Sequence, residues 1–266
     1  MKRILRLRHW PLWTVFLLVG LALILPFVLP WSHEQIDWDA VRAPAFTGSH
    51  IFGTDDIGRD RLARLMAGTQ ITVMVAVAAA LVSLVIGIAW GATAGWIGGR
   101  VDEAMMRFVD ALYALPFMFI VILLMVIFGR SILLVFVGIG LVEWLTMARV
   151  VRGQVMALKE RPFILAAEAA GAPPLAIILR HILPNIAGVA LAYLMLTIPQ
   201  VVMVESFLSF LGLGVQEPLT SLGILVKEGA DDMDMAPLGL FLPGGVLVLI
   251  LVCLTIEGER LRDVYS

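Results

Sequence analysis

The sequence predicts an all-α integral membrane protein with about six transmembrane helices and both termini on the inner side. Three observations carry that prediction. First, 61% of the 266 residues are hydrophobic and only 15% are charged, against roughly a quarter charged in an ordinary soluble domain. So little polar surface cannot cover so apolar a core in water, which excludes a free cytosolic enzyme. Second, the chain holds long runs without Asp, Glu, Lys or Arg, and about 20 apolar residues suffice to cross a hydrocarbon core of about 30 Å. Third, the 19 Lys and Arg residues divide unevenly once those runs are laid across a bilayer. The net charge of −2 gives no bulk attraction to nucleic acid, and the single cysteine, Cys253, excludes an internal disulfide or a multi-cysteine metal site.

The first span runs from Trp10 to Pro30 behind Lys2, Arg3, Arg6 and Arg8. Its basic start resembles a secretory signal, but it shows no A-x-A-like cleavage site and reads as an uncleaved anchor helix. Further uncharged runs lie between Arg64 and Arg100, Asp110 and Arg130, Arg180 and Glu205, and Asp234 and Glu257. A sixth span is expected from Ser131 to Ala148, interrupted by Glu143. The stretch between Glu205 and Glu217 is too short to cross, and its glycines predict a bent or re-entrant piece. With the N-terminus inside, 13 of the 19 basic residues fall inside, including Arg100, Arg107, Arg149, Arg152, Lys159, Arg161, Arg180, Arg260 and Arg262. Arg42, Arg59, Arg61, Arg64, Arg130 and Lys227 remain outside, so the basic bias favours this orientation. Residues 31–70 then form an outer segment, 149–185 a long inner loop and 209–236 a second outer loop. The organisation expected is an anchor helix with its outer segment over 1–70, followed by a transmembrane core over 71–266.

Gly87, Gly91, Gly95 and Gly99 recur every fourth residue, which makes one stripe along a helix where a neighbour can approach closely. The neighbour can belong to this subunit or to a partner. Glu143 lies within a span, where a carboxylate usually faces a water-filled cavity or a partner. It is a candidate for a translocation path, with an ion pair to Arg149 or snorkelling to the inner surface as the structural alternatives. Glu205 poses the same question near the outer end of its span. The motif FGTDDIGRD at 52–60 lacks the D-x-D-x-D-G spacing of a calcium loop, so it reads as a turn and helix cap leading into Ile57–Met66. His9, His33, His50 and His181 are scattered without metal-ligand spacing, and no metal site is assigned.

The inner loop is neither polar nor glycine-rich. From Leu165 to Asn185 it reads LAAEAAGAPPLAIILRHILPN. Its alanines favour a helix, Gly171 can end that helix in a left-handed conformation, and Pro173 and Pro174 suit the start of another. Such an elbow presents a rigid apolar knob that water would strand, which argues for a docked cytoplasmic partner.

The elbow resembles the EAA loop of binding-protein-dependent ABC importer permeases, whose pattern is E-A-A, three residues, Gly, then nine residues to an I-x-L-P-like end. Ala166, Ala167, Gly171, Leu183 and Pro184 fall on it, while Leu165 stands where the family carries Glu. Further segments resemble the peptide-transport branch: GTDDIGRD at 53–60, WIGGRVDEAMMR at 96–107, MARVVRGQ at 147–154 and ESFLSFLGLGVQEP at 205–218. The last is most similar to the second permease subunit of oligopeptide importers. The resemblance implies the type-I permease fold, with Leu165, Ala166, Ala167, Gly171, Leu183 and Pro184 coupling to an ATPase. It also implies a sister permease in a heterodimer, two cytoplasmic ATP-binding subunits that hold ATP and Mg2+, and an external solute-binding protein delivering peptide. It places the chain in a bacterial cytoplasmic (inner) membrane, in contact with lipid and with no nucleic acid. The chain itself has no P-loop around Lys2, Lys159 or Lys227, so no cofactor and no enzyme activity are expected of it. Dipeptides, nickel, glutathione or opines remain alternative cargoes. An ion-coupled transporter would show inverted repeats, and an intramembrane enzyme a catalytic constellation within the spans; neither is visible.

Overall fold

The structure, a computed structural model, describes residues 10–129 and 132–265. Lys2, Arg3, Arg6, Arg8, His9, Arg130 and Ser131, which enter the span and charge expectations, lie outside the described residues. Helix α1 (Trp10–Val28) leads into an irregular segment with one 3-10 turn at Trp38–Ala40. Next come α2 (Arg61–Ile97), α3 (Gly99–Tyr113), α4 (Phe117–Phe128) and α5 (Ile132–Lys159). The elbow follows as α6 (Pro162–Ala169) and α7 (Pro174–Ile177), which continues through a π turn at Ile178–Ile182 into α8 (Leu183–Phe210). Helices α9 (Leu222–Asp231) and α10 (Leu238–Tyr265) complete the described chain.

Among the described residues, α1, α2, the rod from Pro174 to Phe210, and α10 are long and apolar enough to cross a membrane, and the bent α3–α4 pair makes a fifth candidate. The expected sixth span is α5, which is 28 residues long but carries Glu143, Arg149 and Arg152. The run between Asp110 and Arg130 is not one straight span. The chain breaks at Ala114–Pro116, and α3 and α4 meet at 74°. Pro116 has no N–H to donate and disfavours a helical residue before it. With 12 residues, α4 is about 18 Å long and too short to cross alone. The short stretch after Glu205 finishes α8 and turns at Gly212, whose φ is +74°. Residues 209–236, expected as a second outer loop, contain α9.

At 37 residues, α2 is the central strut. At about 1.5 Å per residue it is about 55 Å long and outreaches the hydrocarbon core. Residue 70 lies well inside it. The helix starts at Arg61, not at Ile57, because Asp55 holds residues 57–59 in a turn: its Oδ1 accepts from the Ile57 and Arg59 backbone N–H groups at 3.1 and 2.8 Å. Asp60 is the cap, accepting from the Ala63 N–H at 2.7 Å.

The middle of the bundle packs Val75, Ala76 and Ala79 of α2 against Val121, Met125, Ile139, Val201 and Val202. Lipid tails are as apolar as these side chains, so shape fit rather than water exclusion holds the helices together. Three stripe glycines show how close that fit is. A Cβ added to Gly91 would overlap the Ala148 carbonyl oxygen, one at Gly87 would lie 2.5 Å from the Met147 Cβ, and one at Gly95 would lie 2.9 Å from the Arg152 carbonyl oxygen. The neighbour is therefore α5 of the same subunit. Gly99 does not belong to the stripe. It follows the end of α2, adopts φ +57° and faces open space, because Gly98 and Gly99 together turn the chain into α3.

Candidate coupling site

The elbow is built by local rules. Pro162 occupies the first turn of α6, where its missing N–H leaves no intrahelical bond unmade. At the other end, Gly171 takes φ +78°. The Gly171 N–H donates to the Glu168 carbonyl at 2.9 Å and the Ala172 N–H to the Ala167 carbonyl at 3.1 Å. This is the Schellman pattern, and it requires a residue tolerant of the left-handed region. Pro174 then opens α7.

One face of the elbow is anchored. Ile164, Ile177 and Ile182 are buried with Ala92 of α2, Met147, Val151 and Val155 of α5, and Ile186 of α8. Lys159 closes the joint by donating to the Trp96 carbonyl at 2.6 Å, with its ammonium over the Trp96 ring. The opposite face is bare. Phe163, Leu165, Leu175 and Leu179 are 44%, 51%, 66% and 54% exposed. Ala166, Gly171 and Pro184 are also exposed, while Ala167 and Leu183 are half-buried. The residues expected to couple thus span α6, the Gly171 turn and the first turn of α8, with Leu165 among the exposed apolar side chains. Tyr265 packs on Gly188, so the end of α10 lies beside the elbow.

Glu143 is half-buried, and no hydrogen bond or ion pair holds it among the described residues. The alternative pairing with Arg149 is not made: Arg149 donates to Asp110 at 2.7 Å and sits over the Tyr113 ring. Glu205 is not near water. It is fully buried and accepts from Ser209 Oγ at 2.7 Å and Thr72 Oγ1 at 3.1 Å, because α9 folds back over it. Leu222 at the start of α9 donates its N–H to Thr72 Oγ1 at 3.0 Å.

The end opposite the elbow carries a charge clasp that the sequence motifs do not reveal. Arg64, buried at the start of α2, donates to Asp55 at 2.7 Å and to Glu228 of α9 at 2.5 and 3.0 Å. Arg59 donates to Asp55 at 2.7 Å and to Glu217 at 2.8 Å. Burial pushes the Asp55 carboxyl up, but hydrogen bonds from Arg59 and the charges of Arg64 and Arg59 outweigh it and hold the pKa below its ordinary value. Asp37 and Asp60 flank buried His50, with Asp60 Oδ2 2.8 Å from Nδ1. A cavity of about 220 Å³ lies between this segment and α9–α10, lined by Arg42, Asp55, Arg61, Glu228, Asp232 and Leu242 among others. Only the short-range Asp55–Arg59 spacing could have been read from sequence; the pairs to Glu217 and Glu228 join segments too distant to leave a local signature.

Residues 83–257 match the family of binding-protein-dependent transport system inner membrane components. The chain belongs to this family. This permease is 47% identical to the oligopeptide transport system permease protein OppC of Escherichia coli (strain K12), over 94% of this chain and 83% of that one. It is 45% identical to the OppC protein of Haemophilus influenzae, over 90% and 78% of the two chains. It is also 37% identical to the dipeptide transport system permease protein DppC of Bacillus subtilis, over 95% and 79%. Among solved structures, the inward-facing MetNI methionine ABC transporter superposes with a TM-score of 0.60, covering 77% of this chain and 97% of that one at 19% identity. That likeness establishes the type-I permease fold. The permease is thus a multi-pass inner-membrane component of an ABC importer.

Proposed function

We propose that this permease forms half of an oligopeptide path, with a sister permease as the other half and two cytoplasmic ATP-binding subunits as the motor. An external solute-binding protein delivers the peptide. ATP and Mg2+ belong to the motor subunits, and both termini of the permease face the cytoplasm. The observation that carries the reading is the elbow: an exposed apolar knob whose other face is locked into α2, α5 and α8. A subunit gripping Phe163, Leu165 and Leu175 pulls on three spanning helices at once through the buried contacts of Ile164, Ile177 and Ile182. Oligopeptide cargo is favoured by the relatives with the highest quoted identity, which are oligopeptide permeases.

The test uses the assembled transporter in vesicles, with its binding protein and labelled peptides. A β-branched side chain in the left-handed region costs about 1–2 kcal/mol. Gly171→Val, at φ +78°, is therefore expected to assemble and hydrolyse ATP while uptake per ATP falls about tenfold. Unchanged uptake would sink the coupling role. The dipeptide reading, favoured by the likeness to DppC, predicts that dipeptides are taken up and longer peptides are not. Nickel and glutathione serve as the remaining cargo arms.

A further inference from the structure

Helix α3 is held differently from its neighbours. Of its 15 residues only Asp102 and Val109 are buried, so one of its two buried anchors is a carboxylate. Asp102 takes both arms of the Arg152 guanidinium, each at 2.5 Å. A second pair, Arg149 with Asp110 at 2.7 Å, is reinforced by the Arg149 guanidinium lying 4.3 Å over the Tyr113 ring. Both ends of α3 are breaks. Gly98 and Gly99 adopt positive φ at its start, and the 74° bend into α4 follows its end.

Arg152 is the junction. Its backbone lies against α2, where a Cβ on Gly91 or Gly95 would meet its N or O at 3.0 or 2.9 Å, while its side chain reaches across to α3. The α2–α5 pair is locked to the elbow by Ile164, Val151 and Val155. Motion of the elbow therefore arrives at Arg152, whose ion pair is the polar link from there to α3, beside the apolar contact of Val109 with Trp144, Leu145 and Ala148.

We propose that Asp102 and Arg152 are positioning residues for transport: their ion pair transmits displacement of the elbow to α3, which swings between its glycine hinge and the bend at Pro116. This inference rests on the coupling role proposed for the elbow. In the reconstituted transporter, Asp102→Asn is expected to retain assembly and ATP hydrolysis while peptide uptake per ATP falls about tenfold. The exchange of partners, Asp102→Arg with Arg152→Asp, restores uptake. If Asp102→Asn couples like the wild type, or the exchanged pair does no better than the single variants, the proposal is overturned. A second measurement does not depend on cargo. Spin labels at Glu103 on α3 and Glu160 beside the elbow should keep one sharp distance with and without trapped nucleotide in the wild type. In Asp102→Asn that distance should broaden; an equally sharp distance in the variant also overturns the proposal. Failure of the wild type to move any peptide, with the label behaviour as expected, would count against the cargo and leave the clamp standing.

Discussion

Glu143 and Glu205 share a residue type and an apolar sequence setting, yet their surroundings differ. Glu205 is enclosed by Thr72, Ser206 and Ser209, each a hydroxyl within 3.4 Å of its carboxyl. Its removal strands those hydroxyls in a dry interior, so Glu205→Ala is expected to lower stability by about 1–3 kcal/mol. Glu143 has no such partner among the described residues, so Glu143→Ala strands no hydrogen-bonding group and should not lower stability. Instead it should alter which peptides are taken up, as expected of a path residue. Thermal unfolding of the purified protein and uptake over a peptide panel check the pair. Equal losses of stability would refute the contrast, and wild-type uptake of every peptide by Glu143→Ala would remove that residue from the path. Periodicity and hydropathy mark both as carboxylates in apolar runs; only the return of α9 over α8 separates them.

At the scale of elements, the α2–α5 contact is made by absence of side chains. A larger residue at Gly91 must displace the α5 backbone at Ala148, whereas one at Gly99 meets open space and only the strain of φ +57°. Gly91→Val is therefore expected to destabilise by about 3 kcal/mol or more, and Gly99→Ala by about 1 kcal/mol. Melting of the two variants in one detergent gives the comparison, and a Gly91→Val protein as stable as Gly99→Ala would refute it. The elements that could be read from sequence are those governed by neighbours in the chain. Uncharged runs mark α1, α2, α8 and α10, and Gly171 with Pro174 marks the elbow turn. Pro116 was also visible, but a proline in an apolar run signals a break without its angle. Hidden were the features made by distant residues. Arg152 finds Asp102 fifty positions away, and Arg64 finds Glu228 across 164. No local pattern encodes such pairs; the packing of α3 on α5 and α9 on α2 creates them.

Across the whole molecule, charge is concentrated at the two ends, and the ends differ in how they use it. Near the elbow, ion pairs add to apolar contacts between helices: Arg152 with Asp102 and Arg149 with Asp110 join α5 to α3. At the far end, Arg59, Arg64, Asp55 and Glu228 knit residues 53–64 to α9 around a buried guanidinium, which suits a fixed cap. The cap has a pH dependence whose sign follows from Asp55. Its folded pKa lies below the unfolded value of about 3.9. The stabilisation is therefore fully present above that value and is lost as pH falls through the depressed pKa. At neutral pH the clasp is closed; once pH falls through the depressed pKa, protonation of Asp55 weakens its bonds to Arg64 and Arg59. A spin label at Phe46, which is 81% exposed in the same segment, should stay immobile from neutral pH down to the ordinary carboxylate range and loosen below it. Asp55→Asn should be loose already at neutral pH and show no such transition. A label that loosens on raising the pH, or an Asp55→Asn protein with the wild-type profile, would show that another group governs the clasp.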